Sequence, residues 1–346
     1  MAESSAGVRR LKRVALAAGA VAVLAAAASS SALAWLCRAA PTRPDAPEVD
    51  VVIERGWGIV KIAAALERNG VVADRRGFVL LAKWRGKARR LQAGEYRFAR
   101  GGKPQAALDV LLSGKTVRHY FMVVPGETAP QAAAKMQAAG IDPPGLAARL
   151  IDDPAFADSL AAPAPRLEGF LWPETYAYER GEDAKTLLTR MVRLFQRKWA
   201  DEFAARAALS GLTEIQAVTL ASIVEKETGY EPERTMIARV FLNRLARGMP
   251  LQSDPTTIYA LGAEFRGELT KADLQRDLPY NTYVRSGLPP GPICNPGAGA
   301  LEAVLSPADG PWLYFVAAGE GRHVFSSSYA EHLQAVNRFL KGSTRP

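Results

Sequence analysis

Thr213-Glu214-Ile215-Gln216-Ala217-Val218-Thr219-Leu220-Ala221-Ser222-Ile223-Val224-Glu225-Lys226-Glu227-Thr228 carries no charge between Ile215 and Val224. Thr213 and Gln216 have the spacing of a capping box, so the run predicts a helix that starts there. A helix that is apolar nearly all round is expected to be buried. Charge returns abruptly at Glu225. Ser222, Val218 and Ile215 lie three, seven and ten positions before it, which places Glu225 at the end of a mostly apolar stripe. A carboxyl held against apolar surface keeps its proton to higher pH, as a general acid working near neutrality requires. The competing reading is that Glu225, Lys226 and Glu227 are simply where a buried helix surfaces, since charged helix ends are common.

The chain continues in the same vein. Pro232 suits a first helical position after the Gly229-Tyr230 break, and Ile237, Val240, Phe241 and Leu245 make one helical face that Gly248 ends. Ser253 or Asp254 then caps a short helix with Pro255 as its first residue. The segments Ala221–Thr228, Val240–Leu245 and Leu251–Thr256 resemble the motifs of the endolytic murein transglycosylase, or YceG-like, family. So do Leu167–Tyr176 upstream, and Tyr280–Tyr283, Gly287–Ile293, Asn295–Gly297 and Tyr314–Ala317 downstream. The likeness covers nearly all of the chain beyond about Val49, and several ordered motifs are far more specific than any one.

Composition agrees with a globular, folded chain. At 346 residues, with 48% hydrophobic and 23% charged residues, the chain is long enough for roughly two globular domains. Its net charge of +9 is uneven: residues 1–118 hold 21 Lys and Arg against 9 Asp and Glu, and residues 119–346 hold 23 against 26. A basic half is compatible with nucleic acid or an anionic surface. No zinc-finger or RNA-binding aromatic motif accompanies it, and nucleic-acid binding is not expected. With three histidines, none at helical spacing to a carboxylate pair, no metal site is expected; nor does any phosphate loop or dinucleotide fingerprint indicate a cofactor. Cys37 and Cys294 are not expected to form a structural disulfide.

Arg9, Arg10, Lys12 and Arg13 precede an uncharged run from Val14 to Cys37, long enough to cross a bilayer once. The basic flank favours a cytoplasmic N-terminus and an exported body. Ala32-Leu33-Ala34 leaves open a cleaved signal peptide, although the resemblance implies a single-pass anchor in the inner membrane with the catalytic domain on the periplasmic side. The expected organisation is a tail at 1–13, an anchor at 14–37, a Pro-rich linker at 38–48, a small module at 49–118 and a catalytic domain at 119–346. The fold class is α+β. In the module, Val51–Ile53 predicts a strand, and Ile59, Ile62, Ala63 and Leu66 predict a helix closed by Asn69-Gly70. Asp74 caps a second helix, Glu95–Phe98 predicts a strand, and Pro104 opens a third helix ended by Gly114. The resemblance implies that this α+β unit is LysM-like. In the larger, helix-rich domain, Tyr120–Val124 predicts a strand, and Leu188, Met191, Val192, Phe195 and Trp199 predict an amphipathic helix against the buried one. Tyr314–Ala317 and His323–Phe325 predict a hairpin, and Leu333, Val336 and Leu340 mark a last helix. Trp172 and Tyr176 read as core or as platforms for sugar rings.

For the chemistry, the resemblance implies that a single glutamate first protonates the glycosidic oxygen. It then accepts the proton of the muramyl 6-hydroxyl, leaving a 1,6-anhydro end without consuming water. That role falls on Glu225. Glu227, about 200° further round the helix, is expected instead to partner a cation or a backbone group. Asn243, Gln252 and Asp254, with Tyr280, Asn281, Thr282 and Tyr283 from a loop, match polar motif positions suited to orienting sugar hydroxyls or the N-acetyl group; helix and turn capping is the alternative. Endolytic cutting of nascent peptidoglycan strands beside membrane synthases is likewise implied by the resemblance alone. Two other readings stay open: a hydrolytic muramidase with Asp254 as second carboxylate, and a non-catalytic glycan-binding scaffold.

Overall fold

The computed structural model describes residues 19–21, 23, 47–141 and 143–341. The expected anchor, 14–37, lies outside them except for residues 19–21 and 23. Among the described residues no single helix is long and apolar enough to cross a membrane. The chain divides into two compact units, the first running to His119 with a short return at Glu179–Gly181, the second holding the rest.

In the first unit β1 (Val49–Ile53) pairs antiparallel with β2 (Gly94–Phe98), Val51 opposite Tyr96. The period of a strand turns Val51, Ile53, Tyr96 and Phe98 to one side, where they are buried. Three helices cover that face: α1 (Ile59–Arg68), α2 (Arg75–Trp84) and α3 (Pro104–Ser113). Ile62, Leu66, Phe78, Leu108 and Leu111 complete the core. The expected caps are present, since the Asp74 side chain accepts from Arg76 N–H and Gly114 closes α3 in the left-handed region. This is an α+β unit.

The second unit is mainly helical. In chain order it holds β3 (Arg118–Met122), α4 (Ala129–Ala138), α5 (Leu146–Ile151), α6 (Pro154–Ser159), β4 (Thr175–Glu179) and α7 (Ala184–Lys198). There follow α8 (Ala204–Ser210), α9 (Glu214–Glu227), α10 (Arg234–Ala246), α11 (Asp254–Leu261), α12 (Lys271–Leu274) and α13 (Ala298–Leu305). The hairpin β5 (Tyr314–Gly319) and β6 (Arg322–Ser326) and the helix α14 (Tyr329–Val336) close it. β3 pairs with β4, and β5 with β6 antiparallel, Phe315 opposite Phe325. β3 starts and ends two residues earlier than the sequence suggests. The Val124 N–H goes to the Glu127 carboxylate instead of a strand partner, and Pro125 follows at the turn.

The helix α9 organises this unit. Thr213 and Gln216 form the capping box, and all eight residues from Ala217 to Val224 are buried. It packs on α10 and α13. α7 divides between two cores: Leu188, Met191 and Val192 face one, and Phe195 faces the core of α9. There Phe170 meets Phe195 edge-on at 5.1 Å, Phe195 stacks near Trp199 at 6.2 Å, and Trp172 sits 6.2 Å from Phe203. Trp172 and Tyr176 are both buried, so they are core and not sugar platforms. The expected last helix is present; in it Leu333 is 42% exposed, Val336 is half-buried and Ala335 is buried.

The loop before α13 is sewn to α9 and to two other segments. Asn295, fully buried, accepts at Oδ1 from Gly169 N–H and Leu171 N–H and donates from Nδ2 to the Glu127 carbonyl. Its main chain also exchanges two bonds with Gly126 and Glu127. Ile293 N–H reaches the Ser222 hydroxyl at 3.0 Å. Gly169 has φ +88°, and a Cβ there would meet Pro292 at 2.5 Å, so both conformation and space demand glycine.

Candidate active site

The two glutamates at the end of α9 meet different surroundings. Glu225, whose side chain is 6% exposed, has both oxygens engaged: Oε1 by Arg234 at 3.1 Å and Oε2 by Gly297 N–H at 2.9 Å. It is Glu225, not Glu227, that partners a cation and a backbone group.

Glu227 opens instead on a cleft of about 290 Å³ lined by Arg244, Leu251, Gln252, Asp254, Tyr283, Phe315 and His332. The Ser253 hydroxyl donates to its carboxylate. Burial pushes the Glu227 carboxyl up to about 7, and the negative charge of Asp254 adds to the rise. The Ser253 hydrogen bond and the Arg244 guanidinium pull the other way. A carboxylic acid that still holds its proton near neutral pH, facing a polar cleft, is the arrangement a general acid needs.

The cleft wall is built from the chain just beyond α10. Ser253 precedes Asp254 and Pro255 at the start of α11, as expected, but its hydroxyl turns to Glu227 and makes no cap. Asp254 accepts from the Tyr283 hydroxyl at 2.6 Å, so it too does more than terminate a helix. Burial and the adjoining Asp254 carboxylate raise the Tyr283 phenol, which stays protonated as the donor. Gln252 has φ +51°, a sparsely populated conformation for a residue with a side chain. Its N–H bonds to the Thr282 carbonyl, and Ser253 N–H bonds to the Thr282 hydroxyl. Asn281, with no exposed surface, accepts at Oδ1 from the Thr257 hydroxyl and Tyr283 N–H and donates from Nδ2 to the Arg276 carbonyl at 2.8 Å. Arg244 is buried and tied by Nε to the Leu313 carbonyl and by Nη1 to the Leu251 carbonyl, both at 2.7 Å.

Of the residues singled out in the sequence, the structure thus gathers Gln252, Asp254 and Tyr283 around Glu227. Asn281 and Thr282 are buried struts that hold the 252–257 segment, consistent with the capping alternative. Asn243 donates to the Gly310 and Trp312 carbonyls and tethers that loop. Tyr280 packs 4.9 Å from Tyr259 and does not line the cleft. Sequence reasoning passed over Arg244, Phe315 and His332. The first two lie inside quoted motifs, but only tertiary packing brings the three to one place. Among the described residues no cluster of His, Cys, Asp and Glu could hold a metal ion.

A family model described as the YceG-like family matches residues 51–338, and the chain belongs to that family. It is 31% identical to an endolytic murein transglycosylase of Bacillus subtilis (strain 168) over 310 residues, 84% of this chain and 85% of the relative. A protein of the same name from Streptococcus pneumoniae serotype 2 (strain D39 / NCTC 7466) is 29% identical over 82% of this chain, which spans 57% of that longer relative. The crystal structure of a yceG-like protein from Listeria monocytogenes matches with a TM-score of 0.58 and 33% identity, covering 83% of this chain and 98% of that one.

Proposed function

We propose that this protein is a peptidoglycan lytic transglycosylase in which Glu227, not Glu225, is the acid and then the base. The observation that carries the assignment is the Glu227 carboxyl, shifted up to about 7 and opening on a cleft with Asp254, Gln252 and Tyr283. Protonated Glu227 delivers its proton to the oxygen of the MurNAc-GlcNAc bond as that bond breaks. The resulting carboxylate takes the proton of the muramyl 6-hydroxyl while that oxygen attacks the anomeric carbon, closing a 1,6-anhydro ring. Proton transfer of this kind is worth about 10²–10⁴ in rate. Asp254, oriented by Tyr283, keeps negative charge near Glu227, which raises its hold on the proton and favours positive charge on the sugar in the transition state. The names of the relatives support the reaction class.

The endolytic cut, an inner-membrane anchor at 14–37, a LysM-like role for residues 49–118 and work beside peptidoglycan synthases belong to the same proposal. They rest on the family resemblance and, for the anchor, on the uncharged run Val14–Cys37. A hydrolytic muramidase is the second reading, because Asp254 supplies a second carboxylate in the same cleft.

Mass spectrometry of peptidoglycan digested by the wild type, Glu227→Gln and Glu225→Gln tests this. Anhydro-muramyl ends lost in Glu227→Gln and retained in Glu225→Gln are expected. Reducing ends would favour hydrolysis, and full cleavage by Glu227→Gln would return the role to Glu225.

A further inference from the structure

We propose that His332 binds substrate in this cleft, donating a hydrogen bond from Nε2 to an acceptor oxygen of the glycan strand. The inference rests on the reading of the Glu227 cleft as the glycan site, and begins from an anomaly. His332 lines the cleft, yet its Nδ1 is sealed from solvent and has no hydrogen-bond partner among the described residues. A buried polar atom without a partner is uncommon in a folded chain and calls for a reason.

The ring is held by packing. It lies nearly parallel to Tyr314 with centroids 5.1 Å apart, and the Arg244 guanidinium sits 5.3 Å from the other ring of that set, Tyr314. Burial, and next the positive charge of Arg244, lower the proton affinity of His332, so the imidazole is neutral and carries one N–H. On Nδ1 that N–H would be a sealed donor with nothing to bond. Placed on Nε2, the ring nitrogen that is not sealed, the N–H is left for a partner in the cleft that His332 lines, and Nδ1 keeps only a lone pair.

Several of the cleft's donors are already committed. The Tyr283 hydroxyl is committed to Asp254, the Ser253 hydroxyl to Glu227, and Arg244 directs Nε and Nη1 at main-chain carbonyls. The two carboxyl groups of the cleft are suited to sugar hydroxyl donors, whereas His332 Nε2 meets an acceptor. Its position on α14, 105 residues beyond Glu227 in the chain, explains why no local motif announces it.

The test compares full-length wild type with His332→Phe and His332→Gln, each checked by thermal melting, for KM and kcat on isolated glycan strands. Phe keeps the stacking on Tyr314 and removes the donor; Gln restores an N–H near Nε2. We expect His332→Phe to raise KM by a few-fold to about tenfold, the range for one net hydrogen bond. We expect kcat to change less than twofold, and His332→Gln to recover most of the loss. Wild-type KM in His332→Phe overturns the inference, as does an equal loss in the Phe and Gln variants, which would mark a packing role. Glu227→Gln run alongside separates the two ideas. If it cleaves normally, the cleft reading fails whatever the His332 variants do; if it is inactive and His332→Phe is normal, only the His332 inference falls.

Discussion

Glu225 and Glu227 are separated by one lysine, and nothing in the local pattern ranks them. The residues three, four and seven before Glu225 are Ser222, Ala221 and Val218; those before Glu227 are Val224, Ile223 and Leu220; all six are fully buried. On a helix buried all round, an apolar stripe cannot single out one carboxyl, so the sequence brings two glutamates to the end of α9 without ranking them. The partners that decide, Arg234, Gly297 and Ser253, come from elsewhere in the chain. If Glu227 is the acid, kcat/KM falls as pH rises through about 7, where it loses its proton. Asp254→Asn removes a charge that raises this value and is expected to move that limb to lower pH, read from the pH profile of cleavage. Glu168 gives a stability counterpart. It is buried, accepts from Ala129 N–H and the Tyr259 hydroxyl, and burial lifts it from 4.5 to about 7. A carboxyl whose folded value lies above its unfolded one supports the fold fully below pH 4.5 and loses that support as pH rises through about 7. The difference is at most roughly 3 kcal/mol. Glu168→Gln keeps the shape and cannot ionise, so its melting temperature is expected to decline less than wild type between pH 5 and 8.

At the level of elements, the capping box of α9, the Asp74 cap, the Gly114 stop and the β5–β6 hairpin were all legible, because each rests on chemistry within a few residues. The loop from Pro292 to Gly297 was legible only as rigid. What it holds together, the turn at Gly126 and the segment 169–171, depends on contacts more than 120 residues away. Asn295→Ala leaves two buried N–H groups without an acceptor. At about 1–3 kcal/mol for each orphan, a loss of about 2–6 kcal/mol is expected, measurable by urea denaturation.

For the molecule as a whole, the two units each have a core of their own. The cleft was not legible at this scale. Its wall is drawn from α9, α10, the segment after it, the 280–283 turn, β5 and α14, and no one-dimensional pattern shows that these converge. Separate cores predict separable unfolding. Phe78 has no exposed surface and belongs to the first unit's core. Phe78→Ala is expected to cost about 3–5 kcal/mol there. In calorimetry the transition of the first unit moves down and that of the second stays in place.

The rings of Phe170, Trp172, Phe195, Trp199 and Phe203 were introduced above as packing, but they also make a gauge. Indoles locked at fixed angles in an asymmetric apolar setting give sharp near-ultraviolet circular dichroism, and Trp199 and Trp172 are both 8% exposed or less, whereas Trp84 in the first unit is 77% exposed. The near-ultraviolet bands of Trp172 and Trp199 therefore report on the surroundings of α9. An instrument that needs neither label nor substrate can follow whether α9 is seated in its core.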